Sequence, residues 1–110
     1  FNIGREIRFH KLFAPQGTNV NFIQKINDMF FIKTYERGVE AETFACGTGA
    51  TASAIIVNQL TNEKSPITLK AKGGLLKVYF KKDNTGYFDV WLEGNANIIY
   101  EGILNKEAFI

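Results

Sequence analysis

Cys46 is the one cysteine in the 110 residues, and it stands in Ala45-Cys46-Gly47-Thr48-Gly49-Ala50, directly ahead of Thr51–Leu60, the strongest helical stretch of the chain. The first turn of a helix carries N–H groups that no intrahelical acceptor reaches, together with a partial positive charge. That combination lowers a thiol pKa and holds an anion beside it. Glycine adds close backbone approach, because no Cβ stands in the way. Residues 46–49 therefore read as a thiolate next to an anion cradle, and the plain alternative is a small, inert cysteine buried at a tight turn. Two more clusters precede it. Thr34-Tyr35-Glu36-Arg37-Gly38 closes a strand at a glycine. There Glu36 can take an ammonium and Arg37 can grip a carboxylate with its guanidinium fork; otherwise they are an exposed charge pair that contributes little. Gly17-Thr18-Asn19-Val20-Asn21-Phe22 sets two asparagines on one strand face. They are either amide donors for a carboxylate or ordinary turn and edge polarity.

The elements that must position these groups are strands around one helix. Arg5–Phe13 is a short helix candidate closed by Ala14-Pro15-Gln16-Gly17. Asn19–Ile26 and Met29–Glu36 are rich in β-branched and aromatic residues, with Asn27-Asp28 as a two-residue hairpin turn between them. Ile67–Lys72 and Leu75–Lys82 alternate, joined at Gly73-Gly74; in the second, Leu76, Val78 and Phe80 share one face. Asp83–Gly86 turns into Tyr87–Glu93, and Asn97–Leu104 reads as a final strand. The helix holds Ala50, Ala52, Ala54, Ile55, Ile56, Val57 and Leu60, which leaves almost no polar face and places it in the interior. The expected fold class is α+β: a largely antiparallel sheet rolled around one central apolar helix, with the thiol opening at one end of the roll.

Composition narrows the function classes. A chain of 110 residues is one domain, residues 1–110, with 45% hydrophobic and 22% charged residues. A net charge of +2 is too small to imply a nucleic-acid partner, and the lysines are scattered with no continuous basic stripe. One cysteine forms no internal disulfide, and a lone His10 lying 36 positions before it gives no metal-ligand spacing. No apolar run is long enough to span a membrane and no signal peptide is visible. The start at Phe1, without a methionine, suggests a piece of something larger.

Gly17–Phe22, Tyr35-Glu36-Arg37-Gly38 and Glu42–Ala50 fall in this order within 34 residues, and together they resemble the signatures of the C-terminal half of diaminopimelate epimerase. The resemblance implies an enzyme that interconverts LL- and meso-diaminopimelate on the route to lysine and peptidoglycan, with no cofactor. It implies two similar domains, each giving one cysteine at the start of its helix: one thiolate removes the α-proton and the other thiol returns a proton to the opposite face. Carried onto this chain, Cys46 is one of that catalytic pair. Gly47 and Thr48 bind the reacting α-carboxylate, Glu36 contacts a substrate ammonium, and Arg37 and Asn19 hold the distal carboxylate. The partners implied are the small amino-acid substrate and an N-terminal half bearing the second cysteine, with room for a homodimer and a cytoplasmic setting, and without nucleic acid or membrane. The isolated chain would then hold half an active site and be inactive. A glutamate or proline racemase of the same two-thiol design, or a non-catalytic free-standing domain, are the alternatives. The segment Val39–Phe44 departs from the family by one extra residue, with Glu40 where glycine is usual.

Overall fold

A computed structural model describes residues 2–44 and 46–109, so Ala45 of the thiol motif lies outside the described residues, with Phe1 and Ile110. The elements run α1 (Asn2–Arg8), a 3-10 turn (Lys11–Phe13), β1 (Val20–Ile26), β2 (Met29–Glu36), β3 (Ala41–Glu42), α2 (Gly47–Thr61), β4 (Ile67–Ala71), β5 (Gly74–Asp83), β6 (Gly86–Gly94) and a second 3-10 turn (Lys106–Phe109). The sheet order is β1-β2-β4-β5-β6, with β3 on β2. Every neighbouring pair is antiparallel except β2 with β4, which the α2 crossover makes parallel.

The local chemistry explains the turns. Asn27 and Asp28 both take positive φ, 48° and 66°, as a two-residue turn of matching twist demands. The β4–β5 turn is Lys72-Gly73, one residue earlier than Gly73-Gly74, because Gly74 pairs with Ala71 and so belongs to the strand. The expected Arg5–Phe13 helix breaks after Arg8, and His10 caps the separate 3-10 turn by accepting from the Leu12 N–H at 3.2 Å.

The core is one cluster: Phe30 and Ile32 from β2, Ala50, Ala54 and Val57 from α2, Ile67 and Leu69 from β4, Val78 and Phe80 from β5. Ala50, Ala54 and Val57 lie on one helix face, and their small side chains let the sheet come close. Leu69 and Val78 are fully buried, which stabilises the fold by about 1.5–3 kcal/mol each. The α+β class is the observed one. The sheet is open, however, and covers one side of α2, so Ile56 is 46% and Leu60 79% exposed.

One expected element is absent. Asn97–Leu104 forms no strand; the residues between β6 and the last 3-10 turn carry no regular structure, and Ile98, Ile99, Ile103 and Leu104 are exposed. Its isoleucines and tyrosine are residues that favour a strand, but a strand needs a neighbour for its N–H and C=O groups, and none of the described strands pairs with it.

Candidate functional site

The topology itself brings three separate motifs together. β1 and β2 are antiparallel with Val20 opposite Tyr35, so Asn19, just before β1, lies beside the end of β2. β2 ends at Glu36, the four residues 37–40 turn, and β3 pairs back with Tyr35↔Glu42 and Glu36↔Ala41. The chain then runs from β3 to the start of α2, which places Cys46 at the same end of the sheet.

Cys46 is the N-cap of α2, in extended conformation at φ −136° and ψ 112°, and its side chain caps nothing. The first intrahelical bond of the turn runs from the Ala50 N–H to the Cys46 carbonyl at 2.8 Å. The N–H groups of Gly47, Thr48 and Gly49 come before it and have no intrahelical acceptor. No acidic residue sits in that turn to neutralise its positive end. The thiol is half-buried. Its Sγ lies 3.5 Å from Thr48 Oγ1, and Asn19 Nδ2 points a donor at it from 3.9 Å. The other end of the same amide is fixed, because Asn19 Oδ1 accepts the Arg37 N–H at 2.7 Å. One asparagine thus links the β2–β3 turn to the thiol.

A cleft of about 300 Å³ opens at this junction, lined by Thr18, Asn19, Asn21, Arg37, Thr48 and Gly49 among others. Of the residues singled out in the sequence, Asn19, Arg37 and Thr48 line this cleft, and Cys46 lies beside it, against Asn19 and Thr48, without lining it. Glu36 stands apart: it is half-buried at the end of β2 and does not line the cleft. Gly47 faces a neighbouring hollow with Thr48, Thr51, Ala52, Ile55 and Leu92.

Two further residues contribute: Glu40, marked in the sequence only as a departure from glycine, and Asn21, marked there only as one of two asparagines on a strand face. Glu40 has φ +59°, a left-handed conformation that glycine adopts at no steric cost. Its carboxylate holds the turn: it pairs with Arg8 Nη2 at 2.9 Å, accepts the Gly38 N–H at 3.1 Å and the Tyr35 hydroxyl at 3.4 Å. Partial loss of water pushes the Glu40 carboxyl up, but the Gly38 N–H, the Arg8 guanidinium and the Tyr35 hydroxyl together hold it below its ordinary 4.5. The turn after β2 is thus tied to α1 through Glu40, and the Arg37 N–H beside it is bound to Asn19. The second is Asn21, on β1, whose Oδ1 accepts the Thr34 hydroxyl at 2.6 Å.

The comparisons with known proteins bear on this arrangement. The family description that matches is "Diaminopimelate epimerase", over residues 2–99. The chain belongs to the diaminopimelate epimerase family. Among curated relatives, the diaminopimelate epimerase of Aquifex aeolicus is 45% identical over 96% of this chain and 38% of its own length. That of Hydrogenobaculum is 46% identical over 97% of this chain and 38% of its own, and that of Archaeoglobus fulgidus 42% over 93% and 34%. The chain thus spans little more than a third of these relatives. A solved PhzF-family phenazine biosynthesis protein from Bacillus anthracis shares the fold, with a TM-score of 0.57 at 15% identity over 83% of this chain and 28% of that one. No helix among the described residues is long and apolar enough to cross a membrane.

Proposed function

We propose that this chain supplies one of two catalytic thiols, Cys46, to a cofactor-independent epimerisation of LL- and meso-diaminopimelate. The observation that carries the reading is the meeting of Asn19 and Thr48 at Cys46 at the open start of α2, with the backbone N–H of Arg37 bound to the same asparagine. An α-proton next to a carboxylate is weakly acidic, and its removal builds negative charge on that carboxylate. Preorganised N–H donors that meet the charge as it forms lower the barrier. Gly47 and Thr48 are the residues assigned to this task.

The proton balance is simple. One thiolate takes the α-proton and becomes a thiol; the thiol on the opposite face gives its proton to the planar carbon and becomes a thiolate. The centre inverts because the two bases face opposite sides. In this chain Cys46 is one of them, and the facing one belongs to the N-terminal half of the same enzyme. Thiols suit both roles because their pKa can be set near working pH. Arg37 and Asn19 hold the distal carboxylate, and Glu36 meets a substrate ammonium from the strand end behind the turn. The setting proposed is cytoplasmic.

The test is interconversion of the LL and meso isomers by the enzyme with both halves present. Cys46→Ala abolishes inversion at the α-carbon under this reading, while the facing thiol can still exchange the α-proton with retention; interconversion that survives the substitution overturns it. Arg37→Lys, which turns a bidentate fork into a point charge, raises KM by about tenfold or more. The rise is smaller for a substrate without the distal carboxylate. Equal losses with both substrates would place Arg37 in a structural role.

A further inference from the structure

Asn21 shares a strand face with Asn19 and lines the same cleft, one residue pair deeper along the sheet. Its environment fixes it unusually well for a polar group beside a cleft. Thr34, its direct cross-strand partner, is buried and donates its hydroxyl to Asn21 Oδ1 at 2.6 Å. On the other side the carboxamide lies against Gly49, where an added Cβ would collide with it. The glycine thus lets the amide rest directly on the first turn of α2. With Oδ1 committed to Thr34, the polar group left for the cleft is the Nδ2 amide.

The chemistry around it is of one sign. Among the described residues the cleft lining offers amides, hydroxyls and Arg37, and no carboxylate-bearing residue. A cleft of that composition complements an anion. We propose that Asn21 is a specificity-determining contact, its Nδ2 donating to the carboxylate at the far end of the bound amino acid, alongside Arg37. A donor locked by a neighbouring hydroxyl loses little freedom on binding, so its contribution to affinity is larger than that of a mobile side chain. The inference rests on the reading of this cleft as the amino-acid site.

The experiment uses the enzyme with both halves and follows KM and kcat for diaminopimelate together with thermal melting. Asn21→Asp keeps the shape and replaces the donor with a negative acceptor. KM is expected to rise about tenfold or more while kcat stays within about twofold. Asn21→Ser, which withdraws the amide without adding charge, raises KM a few-fold and serves if the aspartate variant folds poorly. Thr34→Val, which releases the lock, raises KM by a smaller factor. A diaminopimelate analogue with the far carboxylate converted to a carboxamide is insensitive to Asn21→Asp. Unchanged KM in both Asn21 variants, a fall in kcat at constant KM, or equal losses with the carboxamide analogue would each overturn the proposal. Failure of the thiol reading is read separately, as LL-to-meso interconversion that survives Cys46→Ala.

Discussion

At its C-terminal end α2 has its polar groups engaged. Asn62 takes the left-handed conformation at φ 61° and donates its N–H to the Asn58 carbonyl at 2.9 Å, while Thr61 Oγ1 reaches the Val57 carbonyl at 2.7 Å. The buried Asn58 side chain donates to the Glu63 carbonyl at 2.8 Å and accepts from the Tyr87 hydroxyl at 2.6 Å and from Lys82 Nζ at 3.5 Å. At its N-terminal end the same helix begins with a cysteine that caps nothing and a first turn without an acidic residue. Serine, threonine, aspartate or asparagine in the Cys46 position would satisfy one of the open N–H groups. The helix is closed where it must be stable and left open where a ligand can complete it. The difference teaches that the start of α2 gives up local stability, the usual mark of a site where function sets the residue.

The sharpest way to break this comparison is Cys46→Ser in the enzyme with both halves. Serine is a good N-cap, so melting temperature is expected to rise, corresponding to about 0.5–1 kcal/mol. A hydroxyl is far too weak an acid and base at neutral pH to replace a thiol, so kcat falls by at least about a hundredfold. Calorimetry and the rate of LL-to-meso conversion on the same preparation read both. A variant that is less stable as well as inactive would mean that Cys46 is held by contacts stronger than those at 3.5 and 3.9 Å, and the contrast between the helix ends would fail.

The opposite substitution belongs at the other end. Asn58→Ala leaves the Tyr87 hydroxyl and the Glu63 carbonyl without their partner, which costs about 2–3 kcal/mol at a buried position. Tyr87 also packs edge-on against Phe80 of the core at 5.4 Å, so the loss reaches the sheet. KM for diaminopimelate is expected to stay unchanged, because Asn58 lies more than a turn and a half of helix beyond Ala52, the last α2 residue of the cleft. Denaturant unfolding and steady-state kinetics separate the two effects. A raised KM without loss of stability would show that the helix ends are not independent.

How far the sequence reached can be argued from the same elements. β1, β2 and the Asn27-Asp28 turn were legible because strand alternation and turn chemistry are local. Cys46 at the start of α2 was legible for the same reason, since glycines and the helix pattern flank it. What was not legible depends on neighbours distant in sequence. The apolar face of α2 says that burial is favourable but not which element covers it, and Ile56 and Leu60 remain exposed. Asn97–Leu104 has residues that favour a strand and no partner strand among the described residues. Asn21 was visible only as one of two asparagines, since its lock by Thr34 requires the β1–β2 register. The Arg8–Glu40 pair joins residues 32 apart and has no local signal.

Glu40 offers the smallest and most specific test, because it ties the turn that carries Arg37 without belonging to either helix end. Its carboxyl is held below 4.5 in the folded protein. A group whose pKa is depressed by folding adds stability above its unfolded pKa, and that stability is lost as pH falls through the folded value. Glu40→Gln removes the charge and keeps the shape. The native protein should therefore melt slightly higher than the variant near neutral pH. The gap should close as pH drops below the ordinary carboxylate value. The effect is modest because the Arg8–Glu40 pair is partly solvated, and salt weakens it further. Glu40→Gly is the informative companion: it also loses the pair but relieves the left-handed backbone at φ +59°. It should therefore melt above Glu40→Gln at every pH. A gap between native and Gln that persists unchanged into acid would show that the carboxylate charge does no holding. The turn would then be kept in place by its Asn19–Arg37 hydrogen bond and the β2–β3 pairing alone.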